Sequence, residues 1–268
     1  MICLIMVIKE IRAKSILSAS KVYPYVLNPY VGCQFGCLYC YARFMKKFTG
    51  HAEPWGTFVD VKVNAKELLE KELKRKKPAE VWISGVCDPY QPLEATYRLT
   101  RSCLSLLLEH HWPIRIQTKS PLVVRDMDLL GKTGEGKTPD CHVGFSIGTA
   151  DEGIRCLFEP NLPTVKDRID ALKQLHQSGI RTYAMIAPLL PGAEHLIPLL
   201  EGSVDYVYVD RMNYGYADSI YRKHRLERFQ KEEYFKEMGQ LIQHQCAKRG
   251  IPCTVLFHIV EGSLLGIQ

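Results

Sequence analysis

The stretch Gly32-Cys33-Gln34-Phe35-Gly36-Cys37-Leu38-Tyr39-Cys40-Tyr41-Ala42 decides how this chain is read. Three cysteines fall within eight positions, with three and then two residues between them. So short a loop can wrap its thiolates around one centre, and Gly32 and Gly36 relieve the crowding as the backbone turns. Thiolates are soft donors that select zinc, copper(I) or iron–sulfur clusters. A structural zinc takes four protein ligands. No second Cys-x-x-Cys pair exists, and no histidine lies close enough to complete the loop. A four-iron cluster held by three cysteines leaves one iron without a protein ligand, open to a small molecule that binds through an amine and a carboxylate. Two alternatives stand beside that reading at this point: buried filler cysteines, and a zinc knuckle with a remote fourth ligand.

Outward from the loop, short β-branched runs alternate with amphipathic stretches. Strands are expected at Glu80–Ser84, Ile114–Thr118, Val143–Ile147, Thr182–Ala187 and Val204–Asp210, with a short one just before Gly32. Thr164 and Asp167 form a capping-box pattern ahead of Val165, Ile169, Leu172 and Leu175, and Gly179 suits the helix's end. Asn64 is expected to cap a helix over Ala65–Lys77, whose basic tail Lys74–Lys77 sits where the dipole favours cations. Lys231–Lys248 reads as another helix, stopped by Gly250. About six strand–helix units predict an α/β fold, a partial (βα)6 barrel of parallel strands with the cysteine loop after its first strand. The cleft then lies at the strands' C-terminal ends. The expected organisation is a single domain over 1–268, with a core barrel at about 25–213 and an extension at 214–268 carrying a helix and a final strand.

Composition sets the outer bounds. The 268 residues are 46% hydrophobic and 24% charged, enough apolar matter for a sizeable core. The early apolar run Ile2–Ile8 is far short of the roughly 20 residues of a spanning helix. It lacks the flanks of a signal peptide and reads as a buried strand. Without a secretion signal, a cytoplasmic protein without membrane attachment is expected, and in that reducing compartment its ten cysteines read as core filler, metal ligands or reactive groups in preference to disulfides. The net charge of +6 permits an anionic partner without demanding one. Gly131–Pro139 has neither the spacing nor the following helix of a phosphate loop and reads as a surface loop.

The Cys33-x-x-x-Cys37-x-x-Cys40 pattern, with Tyr39 before the last cysteine, resembles the radical S-adenosylmethionine (SAM) enzymes. Asn28-Pro29-Tyr30-Val31-Gly32-Cys33, Cys40-Tyr41-Ala42 and Ser84-Gly85-Val86-Cys87-Asp88-Pro89-Tyr90-Gln91-Pro92-Leu93-Glu94 resemble the spore photoproduct lyase-like branch, related to DNA repair photolyases. The resemblance runs from about Asn28 to Asn213. It implies a [4Fe-4S] cluster on Cys33, Cys37 and Cys40, with S-adenosylmethionine on the fourth iron. It further implies reductive cleavage to a 5′-deoxyadenosyl radical that abstracts hydrogen from substrate.

Further roles follow from the same resemblance. Ser84, nearby backbone carbonyls and Asp88 would hold the methionine amine, and Lys119 the methionine carboxylate. Ser146 would bond the ribose or carboxylate, while Ala187 and Tyr39 would flank the adenine. Tyr41 and Cys87 would take part in hydrogen transfer to and from substrate. Cys103, Cys246 and Cys253 read as core. An external one-electron reductant, flavodoxin- or ferredoxin-like, is implied. Arg211–Phe235 interleaves cations with tyrosines, which suits a flipped or single-stranded nucleic acid and equally suits a solvated amphipathic surface. The competing functional classes are a cluster-bearing electron carrier or sensor and a zinc-stabilised nucleic-acid-binding module.

Overall fold

Seven parallel strands form the spine of the molecule. We label them β1 (Tyr25–Leu27), β2 (Val81–Ile83), β3 (Ile114–Thr118), β4 (Cys141–Ser146), β5 (Arg181–Ile186), β6 (Tyr206–Val209) and β7 (Cys253–Val255). They pair in that order, and the two-residue strand Leu17–Ser18 adds antiparallel to the β1 edge. The structure is a computed structural model that describes residues 6–131 and 140–257. Among those residues the two edge strands of the sheet do not pair with each other, so the barrel is open. The architecture is the partial barrel expected from the sequence, with β7 as a seventh parallel strand from the C-terminal extension.

Parallel strands are covered on both faces. Here the two faces differ in character. Ile114, Ile116, Val143, Phe145, Ala184, Ile186, Val207 and Val209 belong to the main apolar core. The alternate positions of β3 to β6 carry Arg115, His142, Tyr183 and Tyr206, which bond and stack on one another. Tyr183 runs across Gly144, where a Cβ would collide with its ring, and donates to the Ile116 carbonyl at 3.1 Å. Gly144 is therefore required by a close approach and not by a turn. These side chains floor the barrel and leave its C-terminal end open.

Local expectations fare unevenly. The capping box on Thr164 and Asp167 is present, and its helix runs Val165–Gln177 with Gly179 at φ +77° beyond it. The C-terminal helix runs Glu232–Ala247, with Gly250 at φ +66°. Asn64 precedes the helix Ala65–Leu73 but makes no cap bond. Its amide instead exchanges two hydrogen bonds with the backbone of Ala13, at 2.8 and 2.9 Å. That helix stops at Leu73, so Lys74–Lys77 lie beyond it, and Lys76 sits over the Tyr25 ring. Of the early apolar run Ile2–Ile8, residues 2–5 lie outside the described residues; Val7 and Ile8 open the strand Val7–Ile11, whose centre is exposed and not buried. It pairs with Phe58–Lys62, which also takes Tyr30–Val31, in a separate three-stranded sheet that the sequence pattern did not reveal. Residues 132–139 of the expected loop Gly131–Pro139 also lie outside the described residues.

Candidate functional site

Two sequence motifs lock together to build the site. Asn28 Oδ1 accepts hydrogen bonds from the Ser84 hydroxyl at 2.7 Å and from the amides of Gly85 and Val86 at 2.9 and 3.1 Å. Two residues on, the Tyr30 hydroxyl donates to Glu94, a fully buried carboxylate that also pairs with Arg125. Two residues further, Gln91 Nε2 donates to the Gly32 carbonyl at 3.4 Å, and Gln91 Oε1 accepts the Gln34 amide at 2.9 Å. Gln34 returns the contact by accepting the Leu93 amide at 2.7 Å. The cysteine loop is thus held by amide side chains reading its backbone. Its other flank touches the chain at Gly56, whose Cβ would come within 2.8 Å of the Gly36 Cα.

Every site residue expected from the sequence lines one cavity of about 260 Å³. Cys33, Cys37, Tyr39, Cys40 and Tyr41 come from the loop, and Ser84, Cys87 and Asp88 from the end of β2. Lys119, Ser146 and Ala187 come from the ends of β3, β4 and β5. Trp82, Gln117, Met185 and Asp210–Tyr214 complete the wall. The barrel topology explains the convergence, since each strand delivers one or two residues at its C-terminal end.

The polar groups divide into committed and uncommitted ones. Asp88 is committed: Oδ1 accepts from the Thr118 hydroxyl at 2.7 Å and the Tyr90 amide at 2.9 Å, and Oδ2 from the Lys119 amide at 2.7 Å. Burial holds its pKa above the usual carboxylate range despite these bonds. The Ser84 hydroxyl is shared between Asn28 and the Cys87 sulfur, the latter at 2.9 Å. Ser146 accepts from Gln117 at 2.9 Å. The Tyr39 hydroxyl donates to Glu159, which is paired at 2.7 Å with the fully buried Arg168. Lys119 stands 5.9 Å above the Tyr39 ring. Burial opposes its charge, but Cys37, Glu159, Asp88 and Cys40 outweigh burial and hold its pKa above the ordinary lysine value.

The thiols respond mainly to burial. It raises Cys33 and Cys40, and pushes Cys37 and Cys87 up to about 12. The donor set fits an iron–sulfur cluster on two counts. Three soft donors share one cavity wall. The buried Trp55 indole Nε1 has no full hydrogen bond, and the group it faces is the Cys40 sulfur. An orphan donor beside a cysteine is a place for a hydrogen bond to a cluster ligand.

Sequence reading gave no role to Asn28, Tyr30, Gln34, Gln91 and Glu94, although they lay inside the quoted motifs. It missed Glu159 and Arg168 altogether. The available signal was Arg168 itself, a cation on the helix face that buries Val165, Leu172 and Leu175. Trp55 carried no signal, because its role depends on a contact across the chain.

Comparisons with known proteins bear on the family and the fold. Residues 27–195 match the profile of the Radical SAM superfamily. An uncharacterised protein of Methanocaldococcus jannaschii is 36% identical over 231 residues, covering 84% of each chain. The radical SAM Nalpha-GlyT isomerase of Pseudomonas phage M6 is 28% identical over 168 residues, 62% of this chain and 33% of that protein. Spore photoproduct lyase complexed with dinucleoside spore photoproduct shares the fold, with a TM-score of 0.64 at 15% identity over 93% of this chain and 82% of that one.

Proposed function

The chain belongs to the radical SAM superfamily, and from that premise we propose that it is a cluster-dependent enzyme acting on a nucleic-acid base or lesion. On this reading Cys33, Cys37 and Cys40 hold a [4Fe-4S] cluster, with S-adenosylmethionine beside it. When bound and reduced, that pair supplies a 5′-deoxyadenosyl radical that takes a hydrogen atom from substrate. The observation that carries the reading is the meeting, in one cavity, of two buried cysteines and the half-buried Cys40 with the polar ends of four strands, Lys119 among them.

The chain's own residues then have distinct tasks. Lys119, whose side chain no carboxylate among the described residues bonds, receives the methionine carboxylate. The methionine amine falls to backbone carbonyls after β2 and to Asp88 Oδ2, which accepts only one protein hydrogen bond. The Ser84 hydroxyl is already engaged and supports the turn. Ser146 and Ala187 face the nucleoside, and the Tyr39 ring flanks it, fixed by Glu159 and Arg168. Burial keeps Cys87 protonated, so it has a hydrogen atom to give a product radical. Tyr41 bonds the Gly85 carbonyl beside it and can relay that hydrogen.

The substrate class is read from the mouth. Tyr41 stacks on Tyr214 at 6.2 Å and Tyr214 on Tyr216 at 5.8 Å, with interplanar angles of 20° and 14°. All three rings are exposed. Flat aromatic faces of this kind accept bases. A dinucleoside held by one structural neighbour accords with that choice. Residues 1–268 then form one catalytic domain, its barrel at about 25–213 and its extension at 214–268. The reaction is of lyase type, an external one-electron reductant feeds the cluster, and the reducing cytoplasm suits the free cysteines. Among the described residues no helix is long and apolar enough to cross a membrane.

Anaerobic reconstitution followed by reduction with S-adenosylmethionine tests the proposal. About four iron atoms per chain and formation of 5′-deoxyadenosine are expected. Deuterium passing from labelled thymine-dimer DNA into 5′-deoxyadenosine would establish the substrate class. An intact cluster without cleavage would instead mark a carrier or sensor, and tight zinc without iron uptake a binding module.

A further inference from the structure

The segment that follows the third cysteine has a character of its own. The short helix Tyr41–Phe48 starts on Cys40. From Tyr41 to Gly50 it carries Arg43, Lys46 and Lys47 and no acidic residue. Phe44 and Phe48 are 41% and 68% exposed, unusually high for phenylalanine. Their rings meet edge to face at 6.4 Å, and the Lys47 ammonium lies 5.0 Å from the Phe48 centroid. Lys46 is steadied by the Ala52 carbonyl at 2.8 Å.

This surface is wired to the cysteine loop. The Arg43 guanidinium donates to the carbonyls of Leu38 at 2.6 Å and Cys37 at 3.4 Å. At the roughly 2 Å rise per residue of a 3₁₀ turn, Phe44 lies about 8 Å along the helix from Cys40. The cavity uses neither phenylalanine and neither lysine.

We propose that Phe44, Lys46, Lys47 and Phe48 form the docking surface for a small acidic one-electron carrier protein, flavodoxin- or ferredoxin-like, that reduces the cluster. The proposal rests on the cluster reading above. An apolar centre rimmed by one sign of charge suits a transient protein contact with a partner of the opposite sign. Its geometry differs from the mouth of the cavity. There, tyrosines lie face to face and offer flat surfaces to bases, whereas here two phenylalanines stand edge to face and fill a protein interface. In the docked pair one electron leaves the carrier's reduced flavin or iron–sulfur centre and enters the oxidised cluster. No atom is transferred, and the carrier departs oxidised by one electron.

The test uses the reconstituted holoenzyme and reduced flavodoxin, with cluster bleaching followed by anaerobic stopped flow. Lys46→Glu with Lys47→Glu should lower the second-order rate constant by about tenfold or more at low ionic strength and flatten its salt dependence. Phe44→Ala with Phe48→Ala should lower it as well. Reduction by dithionite, which needs no docking surface, should be unchanged in both. The gentler Lys46→Gln with Lys47→Gln serves if charge reversal disturbs folding. Carrier reduction unaffected by these changes would overturn the proposal. So would an unaffected rate accompanied by loss of affinity for a single-stranded oligonucleotide. Iron analysis of the reconstituted protein separates the two readings: absence of iron uptake defeats the cluster, while a full cluster whose reduction by flavodoxin ignores the lysines defeats the docking surface alone.

Discussion

The two walls of the cavity are built on opposite principles. On one side, Asn28–Cys40 and Ser84–Glu94 interlock through a tyrosine, an asparagine and two glutamines, Tyr30 and Gln91 buried, Asn28 and Gln34 half-buried, with their polar atoms assigned to partners. On the other, Asp210–Tyr216 offers stacked, exposed tyrosines and an Arg211–Glu232 ion pair in contact with water. The first wall must present the same face at every turnover, because it is read here as holding the cofactors. The second, on the same reading, meets the substrate. A wall made of mutual backbone recognition is costly to alter, whereas a wall of surface aromatics can change one side chain at a time.

Substitutions test this contrast in descending order of effect. Alanine at Cys33, Cys37 or Cys40 should abolish iron uptake, seen as loss of iron content and of the cluster's visible absorbance. Gln91→Ala strands the buried Gly32 carbonyl and the Gln34 amide. It should cost about 2–3 kcal/mol in denaturant unfolding, since unmet buried polar groups carry that order of penalty. Tyr214→Ala should leave stability within about 0.5 kcal/mol. The same change should weaken binding of a single-stranded oligonucleotide by about 1–3 kcal/mol, measured by fluorescence titration. If Tyr214 proved as costly to stability as Gln91, the contrast between the walls would be lost.

Two finer measurements sharpen the cysteine side. Trp55→Phe removes the indole donor facing Cys40 and should shift the cluster's midpoint potential downward in an electron paramagnetic resonance titration. His51 supplies a pH signature from behind the loop, where it stacks on Phe58 at 4.2 Å. Burial opposes its protonation, but bonds to Asp60 and Glu53, each 2.9 Å, prevail and raise its pKa. A raised folded-state pKa gives stability that is complete below the unfolded value near 6.5 and is lost as pH climbs through the folded one. Denaturation at pH 6 and at pH 8.5 should therefore show a decline in the native protein that His51→Gln does not share.

Legibility in the sequence followed the same division. The parallel strands were readable because Ile114–Thr118 and its counterparts repeat β-branched residues between turn signals, and their order followed from the strand–helix alternation. The cavity residues were readable from the family resemblance, supported by their positions at converging strand ends. What stayed hidden depends on contacts between distant segments. The side sheet joins Val7–Ile11 to Phe58–Lys62, and neither strand is distinctive alone. Asn64 looked like a cap until Ala13 offered better partners. Asp88 and Ser84 were readable as polar groups at a strand end, but the bonds from Thr118 and Lys119 and to Asn28 that fix their orientation were not.

The ring of Tyr183 lying across Gly144 has a consequence for traffic. With the barrel plugged beneath, whatever enters above must leave by the same doorway. If the cavity holds one molecule against the cysteines and another outside it, as proposed, the inner one must arrive first and depart last.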